Sequence, residues 1–316
     1  MRTLVLGAGA TGGYFGGRLL ETGADVTFLL RPQRAKDLRE RGLAIKSKYG
    51  DSRLTNLKII EKATEPFDLI ILSCKAYDLQ SAMEAISGAV GEKTAILPLL
   101  NGMRHFEELK SRFGADHVIG GFCIIAATMD ADGNIAHLND MHTIKFGELD
   151  GKPSERISKI EKMFEPANCI SKSSETIVAD IWEKWVMISS LAALTTLMRA
   201  NVGEVARSPG GPEIATKLFN ECVSVARAHG CNPPDSFVKN MSGRLSDPAS
   251  TLAASMCRDV ERGNNVEADQ IIGDLIAKAR EKNVDVPILE IAYCNVKAYE
   301  QRRAAATQEA ATAAVK

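Results

Sequence analysis

The sequence opens with TLVLGAGATGG, and these residues, 3–13, restrict the fold more than anything that follows. Residues 3–6 are a short apolar run, and Gly7, Gly9 and Gly12 then stand in a GxGxxG spacing. A helical pattern, YFGGRLLETG, leads to a second apolar run at residues 25–30 (DVTFLL). Strand, glycine turn, helix and strand in that order open a parallel sheet. Each glycine has a mechanical task. Gly7 permits the tight turn, Gly9 lets a phosphate approach the backbone, and Gly12 lets helix and strand pack closely. Along Gly7, Ala8, Gly9, Ala10, Thr11 and Gly12 the backbone amides then face the pyrophosphate of a dinucleotide at the helix N-terminus. The spacing alone is a weak signal. Framed by strand and helix, it is a strong one.

The end of the second strand bears on which dinucleotide. A carboxylate about 20 residues past the glycines would meet a ribose 2′-hydroxyl. Here the residue nineteen places after Gly12 is Arg31, in LLRPQR, with Arg34 and Lys36 close behind. A carboxylate repels a 2′-phosphate, whereas a guanidinium grips it through charge-assisted hydrogen bonds. The expected cofactor is therefore NADP (NADPH), unless Arg31 is simply a solvated loop charge.

More strand-like runs follow at residues 67–75, 93–102, 117–128 and 142–149, expected to extend the same sheet. Ligands of such sheets lie beyond the carboxyl ends of the strands. Lys75 and Asn101 stand there, although a loop lysine and a turn residue before Gly102 would look the same.

At 316 residues the chain is long enough for two domains. Strand signals stop near Ser173. Helical patterns then occupy residues 181–197, with Asp180 as the expected N-cap, 211–229, 251–262, 266–282 and 288 onward. The expected architecture is α/β: a Rossmann-type doubly wound sheet over residues 1–172, followed by an all-α domain over 173–316, with a cleft between them. The alanine-rich end, RRAAATQEAATAAVK, reads as a fraying helix or a disordered tail. A net charge of -1 gives no reason to expect nucleic acid or a membrane surface as partner. No apolar run reaches bilayer length, and seven cysteines without metal-ligand spacing suit reduced thiols in the cytoplasm, with no metal.

Residues 182–196, WEKWVMISSLAALTT, hold both tryptophans of the chain, with Lys184 between them. A lysine at the head of so apolar a helix is either snorkelling at the surface or catalytic. Ser255 and Glu267, in SMCRDVERGNNVEADQIIG, are further candidates. Each also has a plain structural explanation, since a carboxylate early in a helix suits the helix dipole.

Taken together, the chain resembles the ketopantoate reductase (2-dehydropantoate 2-reductase) family over most of its length. The likeness rests on GAGATGGYFGGRL, CKAYD around Lys75, LLNGM around Asn101, DGNIAH at 132–137, WEK at 182–184, the S-M-x-x-D…E-x-D-x-x-x-G array from Ser255 to Gly273, and NVDVPILEIAY. The resemblance implies hydride transfer from NADPH to the ketone of a small 2-oxo acid, foremost ketopantoate in pantothenate biosynthesis. It implies Lys184 as the proton donor, a role that suits a lysine because burial or a neighbouring cation brings an ammonium toward neutrality. Lys75 and Asn101 would line nicotinamide and substrate, and Ser255 would meet the substrate carboxylate. Glu267 would hold polar groups of cofactor or substrate, and Ala127 would contact the cofactor through its backbone. A homodimer is left open.

One departure bears on the substrate. Where the family pattern often has asparagines four and eight residues after the lysine, this chain has Ile188 and Ala192, with Thr195 the remaining hydroxyl of that stripe. Three alternatives follow. The chain is a reductase of a different 2-oxo acid or ketone, a non-catalytic NADP-binding protein, or a two-domain dehydrogenase sharing only the first half.

Overall fold

A computed structural model describes residues 1–314, with side chains to Glu309. The chain divides into two compact units, Met1–Val178 and the residues from Ala179 on. That division falls inside a helix, six residues beyond the expected boundary at 172/173.

The first unit contains ten strands: β1 (Thr3–Leu6), β2 (Val26–Leu29), β3 (Leu43–Lys46), β4 (Ser52–Leu54), β5 (Lys58–Ile60), β6 (Leu69–Leu72), β7 (Ala95–Pro98), β8 (Gly120–Met129), β9 (Ile135–Gly147) and β10 (Ile170–Ser173). Helices α1 (Ala10–Glu21), α2 (Pro32–Arg41), α3 (Leu79–Ile86), α4 (Arg104–Phe113) and α5 (Glu155–Phe164) lie between them. Strands β5-β2-β1-β6-β7 form one wholly parallel sheet in that order. Its strands are near-continuous apolar runs because both faces are covered. The chain leaves β1 toward β2 on one side and returns to β6 on the other. The turn after β1 therefore sits at the topological switch point, where such sheets bind ligands.

Residues 117–128 and 142–149 do not extend that sheet. They belong to β8 and β9, an antiparallel pair in a second sheet ordered β10-β9-β3-β4. Just before β8, an isolated bridge between Ile96 and Val118 links the chain to the first sheet. Helix α1 packs against both sheets, and its glycines allow it. A Cβ on Gly16 would press on Phe28 of the parallel sheet, and one on Gly17 would press on Ile45 of the other. The unit's core is continuous across this seam, from Val5 and Phe28 to Ile144, Phe146 and Phe164.

The second unit is helical: α6 (Ile177–Met198), α7 (Val202–Arg207), α8 (Gly211–Ala228), α9 (Asp235–Leu245), α10 (Ser255–Glu261), α11 (Asp274–Glu281) and α12 (Pro287–Ala314). A π-helical turn, Asp269–Gly273, leads into α11. Helix α6 begins at Ile177, so Asp180 is a first-turn acid and not the N-cap. Ile177 is buried beside Gly120 and Gly147, and that apolar anchor carries the helix past the polar signal. Asn201 caps α7 in a reciprocal capping box with Glu204. The core is built on Trp185, Phe219, Leu275 and Leu289. Truncating a wholly buried phenylalanine such as Phe219 to alanine costs about 3–5 kcal/mol. The alanine-rich end continues α12 through Ala314, and residues 315 and 316 lie outside the described residues. No described helix is long and apolar enough to cross a membrane.

Candidate active site

The glycine turn has the geometry its spacing predicts. Gly7 adopts φ +83°, and its N–H donates to Leu29 O at 3.0 Å, tying the turn to β2. A Cβ on Gly12 would collide with Gly7 O and Ser73 Oγ, whereas one on Gly9 would meet nothing within 4 Å. Gly9 therefore faces open space. No side chain caps α1, so its first amides keep their donors for a ligand.

That turn forms one wall of a pocket of about 640 Å³ in the first unit. Its lining includes Gly7, Ala8, Gly9, Arg31, Arg34, Ser73, Lys75, Asp78 and Met129. The volume lies in the range of cofactor sites. Three cations (Arg31, Arg34, Lys75) face two carboxylates (Glu61, Asp78), and Glu61 is already engaged by Arg39 at 2.8 Å. Open backbone at Gly9, uncapped amides and an excess of cations together fit a dinucleotide's phosphates.

The predicted residues of the first unit fall into three groups. Gly7, Ala8, Gly9, Arg31 and Lys75 line the pocket, Lys75 from the turn that follows β6. Ala10, Thr11 and Gly12 begin α1 behind it. Asn101 and Ala127 are not in its wall. Asn101 lies half-buried in the turn between β7 and α4. Ala127 lies within β8, paired with His137 at a register shift. Met129, two residues further on, is the residue of β8 that reaches the pocket.

Sequence reasoning gave Arg34 no structural role. Its Nε and Nη2 donate to Ala8 O at 3.2 and 3.0 Å, and Nη2 also donates to Gly133 O at 3.1 Å. One guanidinium thus braces the glycine turn against the β8–β9 hairpin. Arg31 is 75% exposed and pairs with Asp78 at 3.0 Å.

Lys184, Ser255 and Glu267 belong to the second unit. Lys184 is 8% exposed, on the second turn of α6. Lysines are rarely this buried unless paired. Glu267 is 6% exposed and directly precedes the helix that starts at Ala268. Ser255 is exposed and is the first residue of α10. Of the two departures on α6, Ile188 is half-buried, whereas Ala192 is 2% exposed. Thr195 is wholly buried; its hydroxyl donates to Leu191 O at 2.8 Å and accepts from Ala254 N at 3.2 Å. It anchors the start of α10 and is spoken for by structure.

A parallel sheet carrying this glycine turn at its switch point defines a dinucleotide-dependent protein. Comparison with known proteins makes the class narrower. The profile "Ketopantoate reductase PanE/ApbA" matches residues 3–151, and its C-terminal counterpart matches residues 176–300. A Bacillus subtilis relative named uncharacterized oxidoreductase YkpB is 36% identical over 304 residues, covering 96% of this chain and 100% of the relative. A 2-dehydropantoate 2-reductase of Nostoc sp. is 27% identical, over 94% of this chain and 95% of the relative. The crystal structure of a 2-dehydropantoate 2-reductase from Geobacter metallireducens matches with TM-score 0.87 at 26% identity, covering 94% of this chain and 99% of that one. A D-mandelate dehydrogenase solved with NADH and anilino(oxo)acetate shares the fold, with TM-score 0.85 at 21% identity over 96% and 99% of the two chains. The chain belongs to the ketopantoate reductase (PanE/ApbA) family, and is an NAD(P)-dependent oxidoreductase acting on CH–OH groups.

Proposed function

We propose that the protein reduces a 2-oxo acid with NADPH, ketopantoate being the first substrate to try, and that Lys184 supplies the proton. The observation that carries this reading is Lys184 itself, a lysine 8% exposed on the second turn of a largely apolar helix, in a chain whose other unit builds a pocket suited to a dinucleotide. Bound in that pocket, a reduced nicotinamide supplies the hydride. The chain's own residues do the rest. Arg31 holds the 2′-phosphate that distinguishes NADPH, and the amides of the glycine turn hold the pyrophosphate. Lys75 and Asn101, beyond the ends of β6 and β7, take the nicotinamide side. The Ser255 hydroxyl binds the substrate carboxylate, and Glu267 orients polar groups of cofactor or substrate. Lys184 protonates the carbonyl oxygen as it gains charge, and its cationic form stabilises the developing alkoxide.

A second reading keeps the reaction and changes the substrate. Ile188 presents a half-buried apolar surface one turn after Lys184, where an amide would recognise a hydroxyl. This favours a 2-oxo acid lacking the hydroxyl of ketopantoate. Both readings are tested by NADPH oxidation with ketopantoate beside a panel of 2-oxo acids. Efficient ketopantoate turnover supports the first reading and a role in pantothenate biosynthesis. Turnover of another acid alone supports the second. Tight NADPH binding without any oxidation defeats both.

A further inference from the structure

Beside the stripe that begins at Lys184, helix α6 carries a pair of buried side-chain donors. Trp185 and Ser189, one turn apart, are 1% and 0% exposed. Both donate to the same acceptor: Trp185 Nε1 to Ile271 O at 3.0 Å, and Ser189 Oγ to Ile271 O at 2.8 Å. Ile271 is the middle residue of the π-helical turn Asp269–Gly273. A π turn takes carbonyls out of the regular α ladder, and a buried carbonyl so released needs partners from elsewhere. Two side-chain donors meeting on one oxygen occupy both of its lone pairs.

The same residue is tied to Glu267. Ile271 N donates to Glu267 O at 3.1 Å, the first hydrogen bond of that helix. Ile271 therefore holds Glu267 through its N–H, and the immediate neighbour of Lys184 through its C=O. The far side of the π turn is fixed from α12, where Tyr293 and Lys297 donate to Asp269 Oδ1 at 2.6 and 3.0 Å. The indole is held in turn. Trp182 packs on Trp185 with ring centroids 5.1 Å apart, and stacks on His229 at 5.5 Å. Packing alone asks for none of this polarity. An apolar residue at 189 would fill a buried seam as well, so the hydroxyl and indole N–H mark a demand for position.

We propose that Trp185 and Ser189 are positioning residues: through the Ile271 carbonyl they hold the π turn, and with it Glu267, in register with Lys184. The proposal rests on the roles given to Lys184 and Glu267 above. It deepens that reading by adding two residues that touch neither substrate nor cofactor.

The test uses the full-length protein with Ser189→Ala, Ser189→Cys, Trp185→Phe and the Ser189→Ala/Trp185→Phe pair. Cysteine nearly preserves the serine's volume but is a weak donor, so it separates hydrogen bonding from packing. In the free protein, amide exchange over residues 268–273 should quicken about tenfold in Ser189→Ala and Ser189→Cys alike, with residues 215–226 of α8 unchanged. With NADPH and whichever 2-oxo acid is turned over, kcat should fall about tenfold in each single variant and further in the pair. The KM for NADPH should stay within about twofold, and the pH profile of kcat should move. Wild-type exchange and kcat in the pair, or full recovery in Ser189→Cys, overturns the proposal. Lys184→Ala in the same assay separates two failures. Loss of kcat there, with none in the pair, defeats the positioning role alone. Retained kcat in Lys184→Ala defeats the reading of the reaction, and the positioning role with it.

Discussion

Arg31 and Asp78 form an ion pair of 3.0 Å at the pocket beside the glycine turn, and a 2′-phosphate bound by Arg31 must compete with that carboxylate. The pair is exposed, so separating it costs little, and a dianionic phosphate is the stronger partner. Arg31→Asp should therefore raise the NADPH KM about tenfold or more while leaving the NADH KM nearly unchanged. Asp78→Asn should act in the opposite direction, lowering the NADPH KM a few-fold. Steady-state kinetics with both cofactors decides it. Equal effects of Arg31→Asp on the two cofactors remove Arg31 from phosphate recognition.

Arg34 predicts a different signature. Its guanidinium binds protein carbonyls, Ala8 O and Gly133 O, and so shapes the turn that every dinucleotide shares. Arg34→Met keeps the aliphatic stem and loses the brace. The KM values for NADPH and NADH should rise together, about five- to tenfold, with kcat little changed. Selective weakening of NADPH binding alone would assign Arg34 to the 2′-phosphate instead.

These two arginines also show what was legible beforehand. Arg31 was readable because its position is counted from Gly12 along one local motif. The task of Arg34 was not, because its partner Gly133 lies 99 residues away on a hairpin of the second sheet. That sheet was hidden for a related reason. An apolar run such as residues 120–125 shows that a strand is buried but not which strand pairs with it. Strands β3 and β4 of that sheet are only four and three residues long, too short for alternation to register. On α6, the hydroxyls of Ser189 and Thr195 stood out as polar groups in an apolar helix. Only coordinates could show that both are used by backbone groups, at Ile271 and Ala254.

Acid sensitivity should come from His142. Its ring, 5% exposed, shares a 2.8 Å hydrogen bond with the Tyr14 hydroxyl through Nδ1 and stacks on Tyr49 with centroids 4.1 Å apart. Burial, then the neighbouring His137, Arg18 and Lys48, hold its pKa below the ordinary value of 6.5. Burial pushes the Tyr14 phenol up, so it stays protonated beside the ring. The folded protein thus binds fewer protons than the unfolded chain. The stability contributed by neutral His142 is present above pH 6.5 and is lost as pH falls from there toward the depressed folded value. Urea unfolding between pH 7.5 and 5 (about 1.4 kcal/mol per pH unit for one proton) should show a shallower decline in His142→Gln. Identical slopes in the two proteins would place the acid sensitivity elsewhere.

Lys184→Ala should lower kcat by about 10²–10⁴ with little change in cofactor affinity, because it removes a group that acts in the transition state. NADPH binding measured by fluorescence, beside single-turnover rates, separates the two effects. A variant that keeps its kcat returns the proton transfer to another group.

The two apolar replacements on α6 should not behave alike. Ile188 is half-buried and has surface to exchange, whereas Ala192 is 2% exposed and has none. Ile188→Asn restores an amide one turn from Lys184, where it can hydrogen-bond a substrate hydroxyl. It should raise kcat/KM for ketopantoate about tenfold and lower it for more apolar 2-oxo acids, at a stability cost of about 1 kcal/mol. Ala192→Asn forces an amide into close-packed core and should cost about 2 kcal/mol or more without altering substrate preference. Substrate profiles and denaturant midpoints of the two variants check both statements. A switch in preference from Ala192→Asn, with none from Ile188→Asn, would show that Ala192 and not Ile188 sets which acid is reduced.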